Sequence, residues 1–212
     1  MEKFIVTKAN VNFRKEPNTK SSVIQLLKAG EVLEVIGEAP GTWYKAKRSN
    51  GQVGYISSLM QYTTITTPEW LQEARKVVEL GSTFLGTPYL FGSTRNHVKT
   101  FDCSDLVQYV FRHGAGIQLG GDSRKQSLDA PEVSLDVIRT GDLTFFEKDG
   151  KIYHVSIYVH DDKLLHTYNN TAIVYDEDLK PTGQKGGVTF TRFSGYWKDK
   201  AGLCKIIRPI RV

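Results

Sequence analysis

A chain of 212 residues has room for one large domain, or for a small one beside a medium one. Its apolar share of 40% suits a globular protein, and no run of about 18 apolar residues marks a membrane-spanning helix. Two cysteines, Cys103 and Cys204, are too few for a disulfide framework and lack zinc-ribbon spacing; a single bridge between them would consume Cys103. The net charge of +5 is uneven: residues 1–66 carry nine Lys/Arg against five Glu, a net +4, leaving +1 for the other 146 residues. A mildly basic small domain suits an anionic polymer, and plain solvated charge explains it equally well. No long basic cluster or aromatic-spaced basic motif points to nucleic acid. The first residues lack the pattern of a secretory leader, which predicts a cytoplasmic protein if Met1 is the native start. A leader trimmed from the sequence would instead make it secreted or wall-bound.

Residues 3–60 read as short alternating segments broken by turns: Phe4-Ile5-Val6, Val11 to Arg14, Val23 to Leu27, Val32 to Ile36, Trp43 to Lys47 and Val53 to Ile56. Asn50-Gly51 between the last two is a strong hairpin signal. Strands this short and close, without helical period, predict a small β-barrel. The stretch ANVNFRKEPNTKSSVIQLLKAGEVLEVIGEAPGTWYKAKRSNGQVGYISS resembles a bacterial SH3 domain throughout. The resemblance implies a module that binds cell-wall components or positions substrate for a catalytic domain. The expected domain covers residues 1–62, with a polar, Thr-rich linker at 63–67 and a second domain at 68–212.

In that second domain Thr67 and Pro68 open a helix whose buried stripe is Trp70, Leu71, Ala74, Val77 and Val78, closed by Gly81. Phe101 to Phe111 reads as a second amphipathic helix, with Leu106, Val107, Val110 and Phe111 inward and Gly114 as its stop. Asp102 is a credible N-cap, which puts Cys103 in the first turn. There the exposed N–H groups and helix dipole favour thiolate. Asp102 and Asp105 oppose a third negative charge nearby, so a reactive thiolate needs a cationic partner. From 141 onward the pattern is β, at 142–146, 151–159, 163–168, 171–175 and 203–208. Helices followed by strands predict an α+β layout, with the cysteine helix packed on an antiparallel sheet.

The missing partner lies in that sheet. In Ile152 to Val159, alternation puts Tyr153, Val155, Ile157 and Val159 on the core face and His154 on the other. If the next turn holds three residues, 160–162, Val159 pairs with Lys163 and Ser156 lies opposite His166. His154 and His166 are then diagonal neighbours on one face, with Cα atoms about 7–8 Å apart. A two-residue turn would put the rings on opposite faces. Cys103 then reads as nucleophile, His154 as the base of a thiolate–imidazolium pair, and His166 as the group orienting His154. The bland alternatives are a packing cysteine and a Cys/His/His zinc site, the latter lacking common spacing and an obvious fourth ligand. His97, His113 and His160 fall in loops or at helix ends and receive no role.

The segments LGTPYLFGS, FDCSDLVQYVF, GDSRKQ, RTGDLTFF, HVSIYV and LLHT resemble the NlpC/P60 family of papain-like cysteine peptidases, in that family's order. The spacings of 51 residues from Cys103 to His154, and 12 more to His166, also suit it. The resemblance implies an endopeptidase with Cys103, His154 and His166 in these three roles and no metal or cofactor. It would be a monomer cleaving peptidoglycan stem peptides between γ-D-glutamate and a diamino acid. It also implies that Asp102 and Ser104 hold the free amine of an N-terminal L-Ala, as in recycling enzymes, that Tyr89 stands beside the oxyanion position, and that Asp122 and Ser123 contact substrate. Asp105 replaces the family's usual small residue, and Gly121 stands where Arg is common. Two rival readings are a wall-binding protein with a retired site and an acyltransferase on the same fold.

Overall fold

The computed structural model describes residues 2–93 and 97–211, and the chain divides into two units, Met1–Glu69 and Trp70–Val212. In the first, strands β1 (Lys3–Thr7), β2 (Val11–Arg14), β3 (Val23–Leu27), β4 (Val32–Ala39), β5 (Trp43–Lys47), β6 (Val53–Ser57) and β7 (Thr63–Thr66) form one sheet of order β3-β2-β6-β5-β4-β1-β7. Alternation sends Ile5, Val11, Phe13, Leu27, Leu33, Ala46 and Ile56 into a common core. The Asn50-Gly51 hairpin forms, but Lys47 pairs with Val53, so its turn spans five residues with Gly51 at φ 84°. Gly54 must lack a Cβ, which would stand 2.7 Å from the Phe13 ring.

Residues 63–66 of the expected linker at 63–67 form a strand. β7 pairs antiparallel with β1, Ile5 against Ile65, and the buried Thr63 donates its hydroxyl to the Ser57 carbonyl at 2.9 Å. A run of β-branched threonines suits an edge strand whose outer face meets water, so polarity here marks exposure and not a connector. The first unit therefore runs to Glu69, seven residues beyond the expected boundary at 62.

Helix α1 (Glu69–Ser82) buries the expected stripe of Trp70, Leu71, Ala74, Val77 and Val78. Helix α2 (Cys103–Ala115) runs past Gly114, the expected stop, and ends at Gly116 in left-handed conformation, φ 68°. Gly114 serves the crossing of the two helices: a Cβ there would come within 3.0 Å of the Val77 Cα. A short third helix, α3 (Ser123–Gln126), lies between α2 and the sheet strands.

That sheet has the order β13-β10-β9-β8-β14, from β8 (Leu143–Lys148), β9 (Lys151–Val159), β10 (Lys163–Thr167), β13 (Val188–Arg192) and β14 (Leu203–Ile207), all antiparallel. β11 (Ile173–Tyr175) and β12 (Pro181–Lys185) make a separate ribbon. This is the α+β layout expected, with both sheet faces covered. Leu165 turns toward Gly81 of α1 and Val110 of α2. Phe146 and Leu164 turn the other way, into a cluster with Phe193, Trp197 and Ala201. β13 lies outside the strands expected from sequence, although Val188-Thr-Phe-Thr carries the alternation and β-branching of one. Among the described residues no helix is long and apolar enough to cross a membrane.

The turn before β8 is locked by a buried ion pair. Asp142, 1% exposed, accepts from Arg208 Nε at 2.9 Å and from its terminal nitrogen at 2.8 Å, and from the Arg139 N–H at 2.9 Å. Burial raises the Asp142 carboxyl pKa, against the pull of Arg208. Asp142→Ala would strand the guanidinium without its carboxylate. It should cost about 3–5 kcal/mol in urea unfolding, and a loss under 1 kcal/mol would show the pair to be incidental.

Candidate active site

Asp102 stands in extended conformation just before α2, at φ −91° and ψ 176°. Its Oδ1 accepts from the Asp105 N–H and from the Ser104 hydroxyl, both at 2.8 Å. The N-cap therefore forms as the sequence implies, and Cys103 is the first residue of the helix. Ser104 is held from behind: Gln126 Nε2 donates to the Ser104 carbonyl at 2.8 Å and to the Gly120 carbonyl at 3.0 Å. Gln126 was not singled out by sequence reading; its only signal is a glutamine inside GDSRKQ, and its burial at the joint of α2 and α3 is a tertiary fact.

The Cys103 sulfur lies against β9, where the Val155 N–H points at it and lowers its pKa. The ladder between β9 and β10 ends at Ile157–Leu165 although both strands continue, which frees this part of β9. Val155 is the neighbour of His154, so the helix start and the histidine strand meet here. Lys163 pairs with Val159, so the turn holds three residues and the two histidines share a face. His154 Nε2 and His166 Nδ1 are 2.8 Å apart. The other nitrogen of His154, Nδ1, is not used in this contact. Beyond it, His166 Nε2 lies 2.9 Å from the Thr191 hydroxyl on β13.

Aromatic rings enclose the pair. Trp197 stacks on His154 with centroids 4.9 Å apart and meets His166 edge-on at 4.7 Å. Tyr168 stacks on His166 at 5.0 Å, and Phe146 flanks His154 at 5.8 Å. The Trp197 turn is itself fixed by the β9–β10 turn, since Asp162 accepts from the Ser194 N–H at 2.8 Å and from its hydroxyl. Neither Trp197 nor Thr191 carried a sequence signal beyond being polar or aromatic near the C-terminus.

This enclosure sets the electrostatics. Burial pushes the Cys103 thiol up to about 11, and Asp102 adds to the rise, while the N–H groups of Val155, Ser104 and Cys103 oppose it. Burial takes His154 down to about 3 and His166 well below its ordinary range. Burial thus works against charge on either group alone, whereas the thiolate–imidazolium pair expected from the sequence would carry no net charge. The physical reason is desolvation: each charge alone is costly in a ring-lined site.

Tyr89 comes to the same place. Its phenol pKa is raised by burial, then by Cys103 and Asp102, which puts the ring beside both. Its backbone is gripped by Asn170, whose amide oxygen accepts from the Tyr89 N–H and whose amide nitrogen donates to the Tyr89 carbonyl at 2.7 Å. Asn170 is a further residue that sequence reading missed. Asp122 caps α3, accepting from the Arg124 and Lys125 N–H groups at 3.0 Å each, and these with Lys125 lower its pKa. Ser123 begins that helix, half-buried. Both cysteines are free thiols. Among the described residues no three His, Cys, Asp or Glu side chains cluster as metal ligands would. His97 accepts from the Lys99 N–H, His113 packs on the Tyr109 ring, and His160 faces Asp161 while its backbone N–H donates to the Thr140 hydroxyl at 3.1 Å.

A helix-start cysteine set against paired histidines on an antiparallel sheet defines the papain-like class of cysteine-peptidase folds. The NlpC/P60 family model matches residues 86–199, and the bacterial SH3 domain model matches residues 9–60. The chain belongs to the NlpC/P60 family, with a bacterial SH3 domain ahead of the family's own region. It is 36% identical over 97 residues to a γ-D-glutamyl-L-lysine dipeptidyl-peptidase of Bacillus subtilis, covering 44% of this chain and 32% of that protein. It is 29% identical over 132 residues to the protein of the same name in Bacillus cereus, covering 58% and 38%. The chain thus spans about a third of the length of these curated relatives. A crystal structure of an NlpC/P60 family protein from Bacillus cereus shares its fold at TM-score 0.52 and 22% identity, covering 99% of this chain and 64% of that one.

The buried histidines also tie stability to pH. A lowered folded-state pKa means that the unfolded chain binds the proton more readily, so stability is full above about pH 6.5 and falls toward pH 3. Between about pH 7 and 5 the loss should be roughly 2 kcal/mol per buried histidine, read by urea unfolding. His154→Gln should remove its share of that slope, and an unchanged slope would show that His154 charges freely when folded.

Proposed function

We propose that this chain is a cysteine endopeptidase that cleaves the γ-D-glutamyl–diamino acid bond of peptidoglycan stem peptides, acting as a monomer. The observation that carries this reading is the 2.8 Å bond between His154 Nε2 and His166 Nδ1 beside the Cys103 strand contact. It orients His154 so that Nδ1 takes the thiol proton as Sγ attacks the amide carbonyl carbon. Charge then develops on the carbonyl oxygen, next to the N–H groups of the α2 start and the Tyr89 phenol. The raised phenol pKa keeps that O–H protonated and able to donate. His154 returns the proton to the departing amine, leaving a thioester on Cys103. It then takes a proton from the water that hydrolyses the thioester, restoring thiol and neutral imidazole.

Substrate selection follows from the cap. Asp102 brings a carboxylate, and Ser104 donates its only hydroxyl proton to that carboxylate. Ser104 therefore meets a ligand through its lone pairs, so the two together suit a protonated amine. A free N-terminal L-Ala fits, and so does the name dipeptidyl-peptidase borne by the relatives. Asp122 is occupied in capping α3, so its share in recognition passes through the Ser123 hydroxyl and the helix start.

The test is a digest of L-Ala-γ-D-Glu-L-Lys and its meso-diaminopimelate counterpart, each with a free or acetylated N-terminus, read by mass spectrometry beside Cys103→Ala. Release of L-Ala-γ-D-Glu from the free-amine peptides alone, and none from the variant, is the expected outcome. Equal cleavage of the acetylated peptides would remove the amine role of Asp102 and Ser104. No cleavage under reducing conditions would remove the enzyme reading itself.

A further inference from the structure

We infer that Thr191 is a positioning residue that sets the tautomer of both histidines. The inference rests on the peptidase reading only for its consequence, since the tautomers are a property of the folded chain. His154 spends Nε2 on His166, so it can act as a base only through Nδ1. For Nδ1 to be bare, the ring proton must sit on Nε2 and be donated to His166 Nδ1. His166 then carries its own proton on Nε2, and that proton needs an acceptor. His166 is fully buried, and the group at 2.9 Å from its Nε2 is the Thr191 hydroxyl.

The register makes this contact. His166 pairs with Thr189, so Thr191, two residues along β13, is the diagonal neighbour on the same face. Thr189 is not the partner: its hydroxyl donates to the Phe190 carbonyl at 3.0 Å and accepts from the Tyr175 N–H at 2.9 Å. Thr191 is half-buried, so its own proton can turn toward solvent while its oxygen accepts. The chain Thr191–His166–His154 therefore has two polarities. In one, both rings carry the proton on Nε2 and His154 is a base toward Cys103. In the other, both carry it on Nδ1, and the nitrogen facing the thiol is blocked. A buried N–H without an acceptor costs more than a lone pair without a donor, so removing the Thr191 oxygen tips the chain to the blocked polarity.

The experiment compares Thr191→Val, Thr191→Ser and the unaltered protein at neutral pH. Histidine-selective nitrogen NMR reads the tautomers, and hydrolysis of L-Ala-γ-D-Glu-L-Lys reads kcat and KM separately. Thr191→Val should shift the population of both rings toward the Nδ1–H form and lower kcat by roughly tenfold or more, short of the ~10⁴-fold loss that a wholly wrong tautomer brings. KM should hold, and Thr191→Ser should restore the Nε2–H form and the rate. If Thr191→Val keeps the Nε2–H form on both rings, or the unaltered protein already holds the Nδ1–H form, the inference fails. Failure of the peptidase reading shows separately, as an inert unaltered protein whose tautomers the NMR still reports.

Discussion

The site depends on one hydrogen bond, between His154 and His166, and that bond depends on a turn of three residues. Asp161 and Asp162 both take left-handed backbone, at φ 59° and 63°, conformations that aspartate tolerates better than most residues. With one residue fewer, every side chain of β10 would change faces, and His166 would enter the helix-facing core with Leu165's neighbours instead. The same Asp162 then holds the Ser194 turn, which delivers Trp197 to the histidine rings. A single short loop thus sets register on one side and ring enclosure on the other.

Enclosure disfavours a lone charge on either the thiol or the imidazoles. Trp197, Tyr168 and Phe146 remove water from the imidazoles, and α2 with β9 removes it from the thiol. Each group then resists ionising alone, yet a proton passed from one to the other costs no net charge. The acidic cap fits the same logic. Asp102 raises the thiol pKa, which a free nucleophile would not favour, and a substrate amine seated on that carboxylate would offset it.

Close backbone approaches fix the segment that carries Tyr89. Gly187, at φ 74°, lies where a Cβ would strike the Thr87 carbonyl oxygen, and a Cβ on Gly186 would stand 2.8 Å from the Asn170 carbonyl oxygen. These contacts hold the 86–89 segment against the start of β13, with the Val188 N–H donating to the Thr87 carbonyl at 3.0 Å. Asn170 completes the grip on Tyr89. The tyrosine is therefore placed by backbone and amide geometry, with little demand on its own packing.

Much of the site was legible in the sequence because its signals are local. A cap before an apolar stripe places Cys103, strand alternation places His154, and the parity of one turn places His166 beside it. The first domain's strands were legible for the same reason, through short alternating runs and Asn-Gly. Where reading failed, the deciding contact was remote. Polarity made residues 63–67 look like a connector, and only pairing with β1, some sixty residues earlier, makes them a strand. Gly114 looked like a helix stop, and only the crossing with α1 makes it a contact point. The roles of Thr191, Trp197, Gln126 and Asn170 have no local signal, even where the residue sits in an alternating or motif stretch, since each acts on a partner distant in the chain. Local sequence determined which groups could do the chemistry. The tertiary structure decided their burial and their hydrogen-bond partners, because both are set by rings and strands distant in the chain.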